Sequence, residues 1–208
     1  FKQIFAVAEK LGYGKKEEFV HVGHGLIRLP TGKMSTRKGK TIYLEDVLEE
    51  SIKRAEKIIE ESGTDRGLGK KEKEAVAQAV GVGVVKYFDL MHHYSTDIIF
   101  DWEKMFQLEG NSGPYLQYTY ARCQSVLRKA DTKDSPLSKK LPQLESEEVT
   151  LLRTVYKFPE VIQEAGENFA PNLLCNFLFD LAQKYNLFYN RLPILKAESE
   201  DLKNFRLA

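Results

Sequence analysis

Apolar positions along most of this chain recur every three or four residues, the spacing that places them on one face of an α-helix. Residues 19–29 alternate more loosely around Gly23 and Gly25, which predicts a strand, and residues 41–43 resemble a short returning strand. Helical patterns cover residues 1–13, 44–59, 74–94, 114–130, 147–167 and 172–191. We therefore expect a mainly α protein, in which a small α/β remnant precedes an all-helical bundle.

The predicted helix from Pro114 to Ala130 carries two different stripes. The apolar stripe predicts a face turned toward the core, and the second stripe mixes aromatic rings with positive charge, a combination that stacks unpaired bases and contacts phosphate. The same tyrosines can instead pack between helices with their hydroxyls hydrogen-bonded, so both interpretations stay open. The apolar stripe consists of Leu116, Tyr120, Cys123 and Leu127, and the mixed stripe of Tyr115, Tyr118, Arg122 and Lys129.

Composition narrows the class of protein. The 208 residues are 42% hydrophobic and 29% charged, values typical of a soluble globular protein and not of a collagen-like or disordered chain. The formal net charge is only +1, so any cationic surface for nucleic acid must be local. No apolar run approaches the roughly 20 residues of a membrane span. Cys123 and Cys175 lack metal-site spacing, which favours buried free thiols in a reducing compartment.

The segment from Thr31 to Thr41 contains four positive side chains, two hydroxyl-bearing residues between them and no acid. Such a loop can hold the triphosphate of a nucleotide and stabilise the charge that develops when pyrophosphate leaves. It is not a Walker A loop, because its glycine spacing differs and Met34 follows Lys33. From composition alone, a solvated basic turn remains an alternative.

The order of residues resembles one family. The run from Gly32 to Lys40, Gly-Lys-Met-Ser-Thr-Arg-Lys-Gly-Lys, resembles the KMSKS loop of class I aminoacyl-tRNA synthetases, in the version of the arginyl-tRNA synthetases. Phe100-Asp101-Trp102, the run from Glu109 to Tyr118 and Ala121-Arg122 are similar to the start of that family's helical anticodon-binding domain. The resemblance covers essentially the whole chain.

The resemblance implies an ATP-dependent arginine–tRNA ligase, which forms an arginyl-adenylate and transfers the arginyl group to tRNA(Arg). Its implied partners are tRNA(Arg), ATP with Mg²⁺ as substrate, and L-arginine, with no protein-bound metal, no membrane and a monomeric parent. The implied catalytic residues are Lys33, Ser35, Arg37 and Lys38; His24, Gly25 and Met34 would contact ATP; and Asn111, Tyr115, Gln117, Tyr118 and Arg122 would bind tRNA.

Two departures from the family pattern matter. Thr36 stands where KMSKS has its second lysine, so the charge on the triphosphate must come from Lys33, Arg37 or Lys38. The His-Ile-Gly-His signature is absent; His21-Val22-Gly23-His24 imitates it but lies just ahead of the cationic loop.

The resemblance also predicts the domain organisation. We expect a C-terminal fragment, inactive alone, with the C-terminal edge of a Rossmann-like α/β catalytic domain over 1–44, connecting and stem-contact helices over 45–108, and a truncated anticodon-binding all-α bundle over 109–208. The arginine pocket would lie upstream of Phe1. The alternatives are a non-catalytic tRNA-binding helical module and a helical scaffold whose basic loop is incidental.

Overall fold

The computed structural model describes residues 1–28, 30, 43–62, 67–130 and 142–208, and these ranges are mainly helical. The fold class predicted from the pattern is confirmed. The helices are α1 (Lys2–Lys10), α2 (Leu44–Ser62), α3 (Lys70–Leu90), α4 (Trp102–Met105), α5 (Gly113–Ala130), α6 (Ser146–Tyr156), α7 (Phe158–Glu167), α8 (Pro171–Arg191) and α9 (Glu200–Leu207), with a short 3-10 helix at Lys16–Glu18.

The described strands are much shorter than the pattern over 19–29 predicts. β1 (Ile27–Arg28) pairs in parallel with β2 (Ile98–Ile99), with Ile27 opposite Ile98. Residues 21–26 form no regular element, and their backbone approaches the segment before β2 instead of a further strand. Residues 41 and 42 of the predicted returning strand lie outside the described ranges.

One predicted helix is divided in two. The pattern over 147–167 predicts a continuous helix, but α6 ends at Tyr156 and α7 begins at Phe158. Pro159 sits in the first turn of α7, where its missing N–H costs nothing, whereas in a helix interior it would remove a hydrogen bond and clash with the preceding turn. The apolar period continues across the break because both helices pack on α8.

Small residues allow the first helix pair to approach closely. The Ser51 hydroxyl of α2 donates to the Gly81 carbonyl of α3 at 2.8 Å, and a Cβ at Gly81 would lie only 2.7 Å from Ile52 Cα. Beside this pair, Val84, Phe88 and Met105 form one buried cluster, with Trp102 packed against it.

The second cluster holds the helical bundle together. Val126 of α5, Phe188 of α8 and Ile194 are buried together, and Leu207 of α9 packs against them. A buried ion pair ties α9 to α6, because Arg206 Nε donates to Glu148 Oε1 at 2.7 Å. Since α5 contacts both α3 and α8, it connects the two clusters.

Candidate functional site

The segment ahead of the cationic loop is fixed by contacts with the chain near β2. The backbone N–H of Gly25 donates to the Tyr94 carbonyl at 2.6 Å, and a Cβ at Gly25 would lie 2.2 Å from the Thr96 carbonyl oxygen. Only glycine therefore fits at this position without displacing backbone. His24 is exposed, and its Nδ1 lies 2.9 Å from the Gly25 carbonyl oxygen.

An acidic side chain anchors β1 where it leads into the loop. Asp97 Oδ1 accepts from the Leu26 backbone N–H at 2.8 Å, and Asp97 Oδ2 forms an ion pair with Arg28. The Phe100 N–H donates to the Arg28 carbonyl at 2.8 Å, which continues the ladder. The predicted loop residues Lys33, Met34, Ser35, Arg37 and Lys38 lie outside the described ranges, and their assigned roles stay predictions.

An apolar cavity of about 540 Å³ lies beside this edge. Side chains from β1, β2, α2 and α3 line it, and Lys86 and Asp89 are the charged residues among them. Among the described residues, no group of three or more His, Cys, Asp or Glu side chains could hold a metal ion. None of the helices in those same ranges combines the length and apolar content that crossing a membrane requires.

The start of α5 is held against α3 and α8. Ser112 caps the helix: its Oγ accepts from the Tyr115 N–H at 3.3 Å and donates to the Gln107 carbonyl at 2.5 Å. The Tyr87 hydroxyl of α3 lies 2.5 Å from Asn111 Oδ1 and 3.1 Å from the Cys175 carbonyl of α8. Burial raises the pKa of Tyr87, so its hydroxyl keeps its proton and remains a donor.

Three of the five predicted RNA contacts lie within these helix–helix contacts. Asn111 is bonded to Tyr87, and Gln117 Nε2 donates to the Ala79 carbonyl at 3.3 Å. The half-buried Tyr115 packs edge-on against Phe179, with 5.5 Å between ring centroids. Tyr115 is therefore a tyrosine packed between helices, which was one of the two interpretations, whereas Tyr118 is exposed.

Tyr118 and Arg122, the remaining two, meet at the surface with a third residue from α8. The Arg122 guanidinium carbon lies 4.7 Å from the ring centroid of Tyr118 and 4.7 Å from that of Tyr189. Tyr118 is 54% exposed and Tyr189 39% exposed. We call these three residues the aromatic–arginine cluster; their rings and guanidinium offer π-faces and donors to solvent.

A fourth residue, Asn186, lies at the inner side of the cluster. Its Oδ1 accepts from Arg122 Nη1 at 2.7 Å, and Arg122 Nη2 donates to the Tyr118 hydroxyl oxygen at 2.6 Å. No carboxylate within the described part of the chain forms an ion pair with Arg122, so its charge is not neutralised there. Sequence reasoning missed both Asn186 and Tyr189; their i,i+3 spacing on α8, next to the bundle core, was the available signal.

The prediction that the apolar stripe of α5 faces the core is wrong for Tyr120 and Leu127, whereas Leu116 and Cys123 are half-buried. Tyr120 is 67% exposed and Leu127 48% exposed, whereas the buried positions of α5 in the described chain are Gly113, Pro114, Thr119 and Val126. Helices α3 and α8 cover that other face. Leu116, Tyr120 and Cys123 of the stripe line an apolar groove of about 470 Å³, and Leu151 and Val155 of α6 also line it.

Comparison with known proteins adds to this geometry. Residues 1–102 match the model of the class I tRNA synthetase (R) catalytic domain, and residues 116–208 match that of the DALR anticodon-binding domain. The chain belongs to the arginyl-tRNA synthetase family. The arginine–tRNA ligase of Fusobacterium nucleatum is 41% identical over 207 residues, and that of Chloroflexus aggregans 37% over 210 residues. They align with 98% and 100% of the chain, which spans 36% of either relative.

Solved structures of the arginyl-tRNA synthetase family share the fold. The Thermus thermophilus arginyl-tRNA synthetase superposes with a TM-score of 0.83 and 31% identity, over 98% of the chain and 34% of that structure. The Plasmodium falciparum arginyl-tRNA synthetase gives a TM-score of 0.77 over 100% of the chain and 34% of that structure; at 24% identity, it supports the fold alone.

Proposed function

We propose that this chain is part of an arginine–tRNA ligase and supplies the triphosphate-binding loop and much of the tRNA-binding surface. The observation that carries the proposal is the order of the two matched domains, catalytic over 1–102 and anticodon-binding over 116–208. The complete enzyme would activate L-arginine with ATP and transfer the arginyl group to tRNA(Arg). We place it in the cytoplasm as a monomer, with the arginine pocket outside this chain.

The proposed chemistry assigns the loop to the leaving group. Attack of the arginine carboxylate on the α-phosphorus of ATP forms the arginyl-adenylate and releases pyrophosphate. Lys33, Arg37 and Lys38 would stabilise the charge that grows on that pyrophosphate, and Ser35 would donate a hydrogen bond to it. Magnesium would enter with ATP as part of the substrate.

The adenosine end of ATP would lie along the segment before β1. His24, Gly25 and Met34 are the residues we assign to it, and contacts on either side of Gly25 and Leu26 support a fixed backbone ahead of β1. The Gly25 backbone packs against Tyr94 and Thr96. The Asp97 carboxylate accepts from the Leu26 N–H and forms an ion pair with the Arg28 guanidinium. A fixed strand end would set where the cationic loop begins, which lowers the cost of organising the site.

The tRNA would be held by α5 and its neighbours. We assign Tyr118 and Arg122 to direct contact, since both reach the surface and stacking on an aromatic ring is worth about 1–3 kcal/mol per base. We also assign three residues at or near the start of α5 to the tRNA site, namely Asn111, Tyr115 and Gln117. Their bonds to α3 and α8 suit orientation of α5 more than reading of a base.

Filter binding of the chain to a tRNA(Arg) transcript across a salt series tests the RNA assignment. Arg122→Ala should weaken binding by roughly tenfold or more and lower the slope of log K against log salt by about 0.7, one phosphate contact. Arg153→Ala on α6 is the matched control, because it removes an equal charge from an exposed position on another helix. Equal losses in both variants, or binding that does not respond to salt, would refute the assignment.

ATP–pyrophosphate exchange, measured with tRNA present, tests the catalytic assignment in the full-length enzyme. The double substitution Lys33→Ala with Lys38→Ala should reduce exchange by orders of magnitude, while Lys2→Ala with Lys10→Ala, two exposed positions of α1, should leave it unchanged. If exchange survives in the loop variant, the loop does not serve the triphosphate. If the full-length wild type binds tRNA but shows no exchange, the chain is a tRNA-binding module without chemistry.

A further inference from the structure

Asn186 connects three side chains of α5 to α8 through one amide. Its Nδ2 donates to the Thr119 hydroxyl at 3.0 Å and to the Tyr115 hydroxyl oxygen at 3.1 Å, while its Oδ1 accepts from Arg122 Nη1 at 2.7 Å. The three α5 residues lie on successive turns of the side that faces α8. A single half-buried side chain therefore contacts the guanidinium of the aromatic–arginine cluster and two hydroxyls of the same helix.

The chemistry of the neighbours fixes how this amide is turned. A guanidinium can only donate, so the atom that faces Arg122 must be an oxygen. The Thr119 hydroxyl has one hydrogen, which it gives to the Tyr115 carbonyl at 2.9 Å, so the atom that faces Thr119 must be a donor. The asparagine amide presents an acceptor to Arg122 and two N–H donors to the hydroxyls, whereas an aspartate would place a carboxylate oxygen against the Thr119 hydroxyl oxygen with no hydrogen between them.

We propose that Asn186 is a positioning residue for RNA binding, which holds Arg122 so that the aromatic–arginine cluster is organised before RNA arrives. The inference rests on the proposed function, because it requires that this cluster contact tRNA. Arg122 has four rotatable side-chain bonds, and a partner that fixes the guanidinium in the free protein reduces the ordering cost that binding would otherwise bear. The Tyr118 and Tyr189 rings and the Arg122 guanidinium then present a single geometry to the RNA.

A double-mutant cycle on tRNA binding tests the proposal in the full chain. Asn186→Ala should weaken binding to a tRNA(Arg) transcript by about tenfold and lower the salt slope as Arg122→Ala does, because a mispositioned guanidinium no longer reaches its phosphate. The double variant should bind no more weakly than Arg122→Ala alone. Asn190→Ala, the same chemical change one turn along α8, should bind as the wild type does.

The possible outcomes separate the two claims. If Arg122→Ala weakens binding but Asn186→Ala does not, or if the two losses multiply in the double variant, Asn186 does not act through Arg122 and the inference is overturned. A loss that leaves the salt slope unchanged would also overturn it, since partial unfolding lowers the active fraction without altering the slope. If Arg122→Ala itself binds normally, the proposed RNA surface fails, and the inference fails with it for that separate reason.

Folding is verified by guanidinium denaturation of every variant before binding is measured. Should Asn186→Ala not fold, Asn186→Ser replaces it in the cycle with the same expected and overturning results, because serine fits the space but cannot bridge the same three partners. Asn186→Asp adds an independent arm. Its carboxylate would pair with Arg122 and neutralise it, so binding should weaken and the salt slope should fall; a wild-type slope in this variant would contradict the proposal.

Discussion

The ion pair between Glu148 and Arg206 gives the sharpest test of how α9 is held. Both side chains are almost fully buried, at 3% and 5% exposure. Glu148 also accepts from the Glu145 N–H at 2.7 Å at the start of α6, and Arg206 Nη1 donates to the Pro193 carbonyl at 2.7 Å. Each partner thus satisfies a backbone group as well as the opposite charge.

Arg206→Met leaves the Glu148 carboxylate buried without its counter-charge. Removing one partner of a buried pair costs about 3–5 kcal/mol, whereas replacing both partners with apolar residues is often neutral. The double variant Glu148→Met with Arg206→Met should therefore recover much of the loss. It should still fall short of the wild type by about 1 kcal/mol, because the N-terminal cap of α6 is lost with the carboxylate.

Two measurements are needed because α9 can detach without global unfolding. Guanidinium denaturation followed by circular dichroism gives the global free energy of unfolding, and hydrogen exchange of the α9 amides gives the free energy of local opening. If α9 opens alone, the cost of about 3–5 kcal/mol will lower mainly the free energy of local opening measured at the α9 amides. That decrease cannot exceed the free energy with which α9 docks on the bundle.

Lys203→Met is the matched control for this experiment. Lys203 is also on α9, and it pairs with the exposed Glu200 at 3.3 Å. Because Glu200 is 77% exposed, this pair contributes about 0–1 kcal/mol, and the variant should stay close to the wild type in both measurements. The reasoning is refuted if Arg206→Met lies within about 1 kcal/mol of the control and its α9 amides exchange at the same rate.

Three further substitutions test other parts of the structure. Gly25→Ala should destabilise the chain by at least about 1–3 kcal/mol in thermal or chemical unfolding, because the new methyl meets backbone, while Gly23→Ala, with its nearest contact at 3.7 Å, should not; equal effects would contradict the close approach. The hydrogen bond from Arg191 lowers the pKa of Glu147 from 4.5 to about 2, so the stability this carboxylate contributes is present above about pH 4.5 and is lost as the pH falls toward 2. Glu147→Gln should therefore differ from the wild type at pH 6 and converge with it at low pH in urea titrations; a pH-independent difference would refute the linkage. Tyr87→Phe should cost about 1 kcal/mol, measured by chemical denaturation, since its hydroxyl joins α3 to α5 and α8; an unchanged midpoint would mean that the junction does not depend on this hydroxyl.

Local signals in the sequence determined the helical class and most helix positions. Apolar spacing of three and four residues identifies an amphipathic helix wherever the partner happens to be, so α2, α5 and α8 follow from the pattern. Ser112, a residue type that is favoured at the start of a helix, caps α5. The family resemblance also depends only on residue order, and the two domain matches confirm it.

Tertiary structure decided which face of each helix is covered. The stripe of Leu116, Tyr120 and Cys123 on α5 looks like a core face, but α3 and α8 pack on the side that carries Thr119 and leave the stripe open. A hydrophobic pattern identifies an apolar face of a helix, but it does not identify the element that packs against that face. For the same reason the strand pattern over 19–29 yields only two paired residues, because pairing needs a partner that the pattern does not specify.

The candidate RNA surface divides in the same way. The sequence by itself supplied Tyr118 and Arg122, since both lie on one helix at i,i+4 spacing. Tyr189 and Asn186 are more than sixty residues away along the chain, and they join the cluster only because α5 and α8 lie side by side. Spacing along the sequence predicts contacts within one helix, such as that of Tyr118 with Arg122. Contacts between helices, such as those of Arg122 with Tyr189 and Asn186, form only when the chain packs.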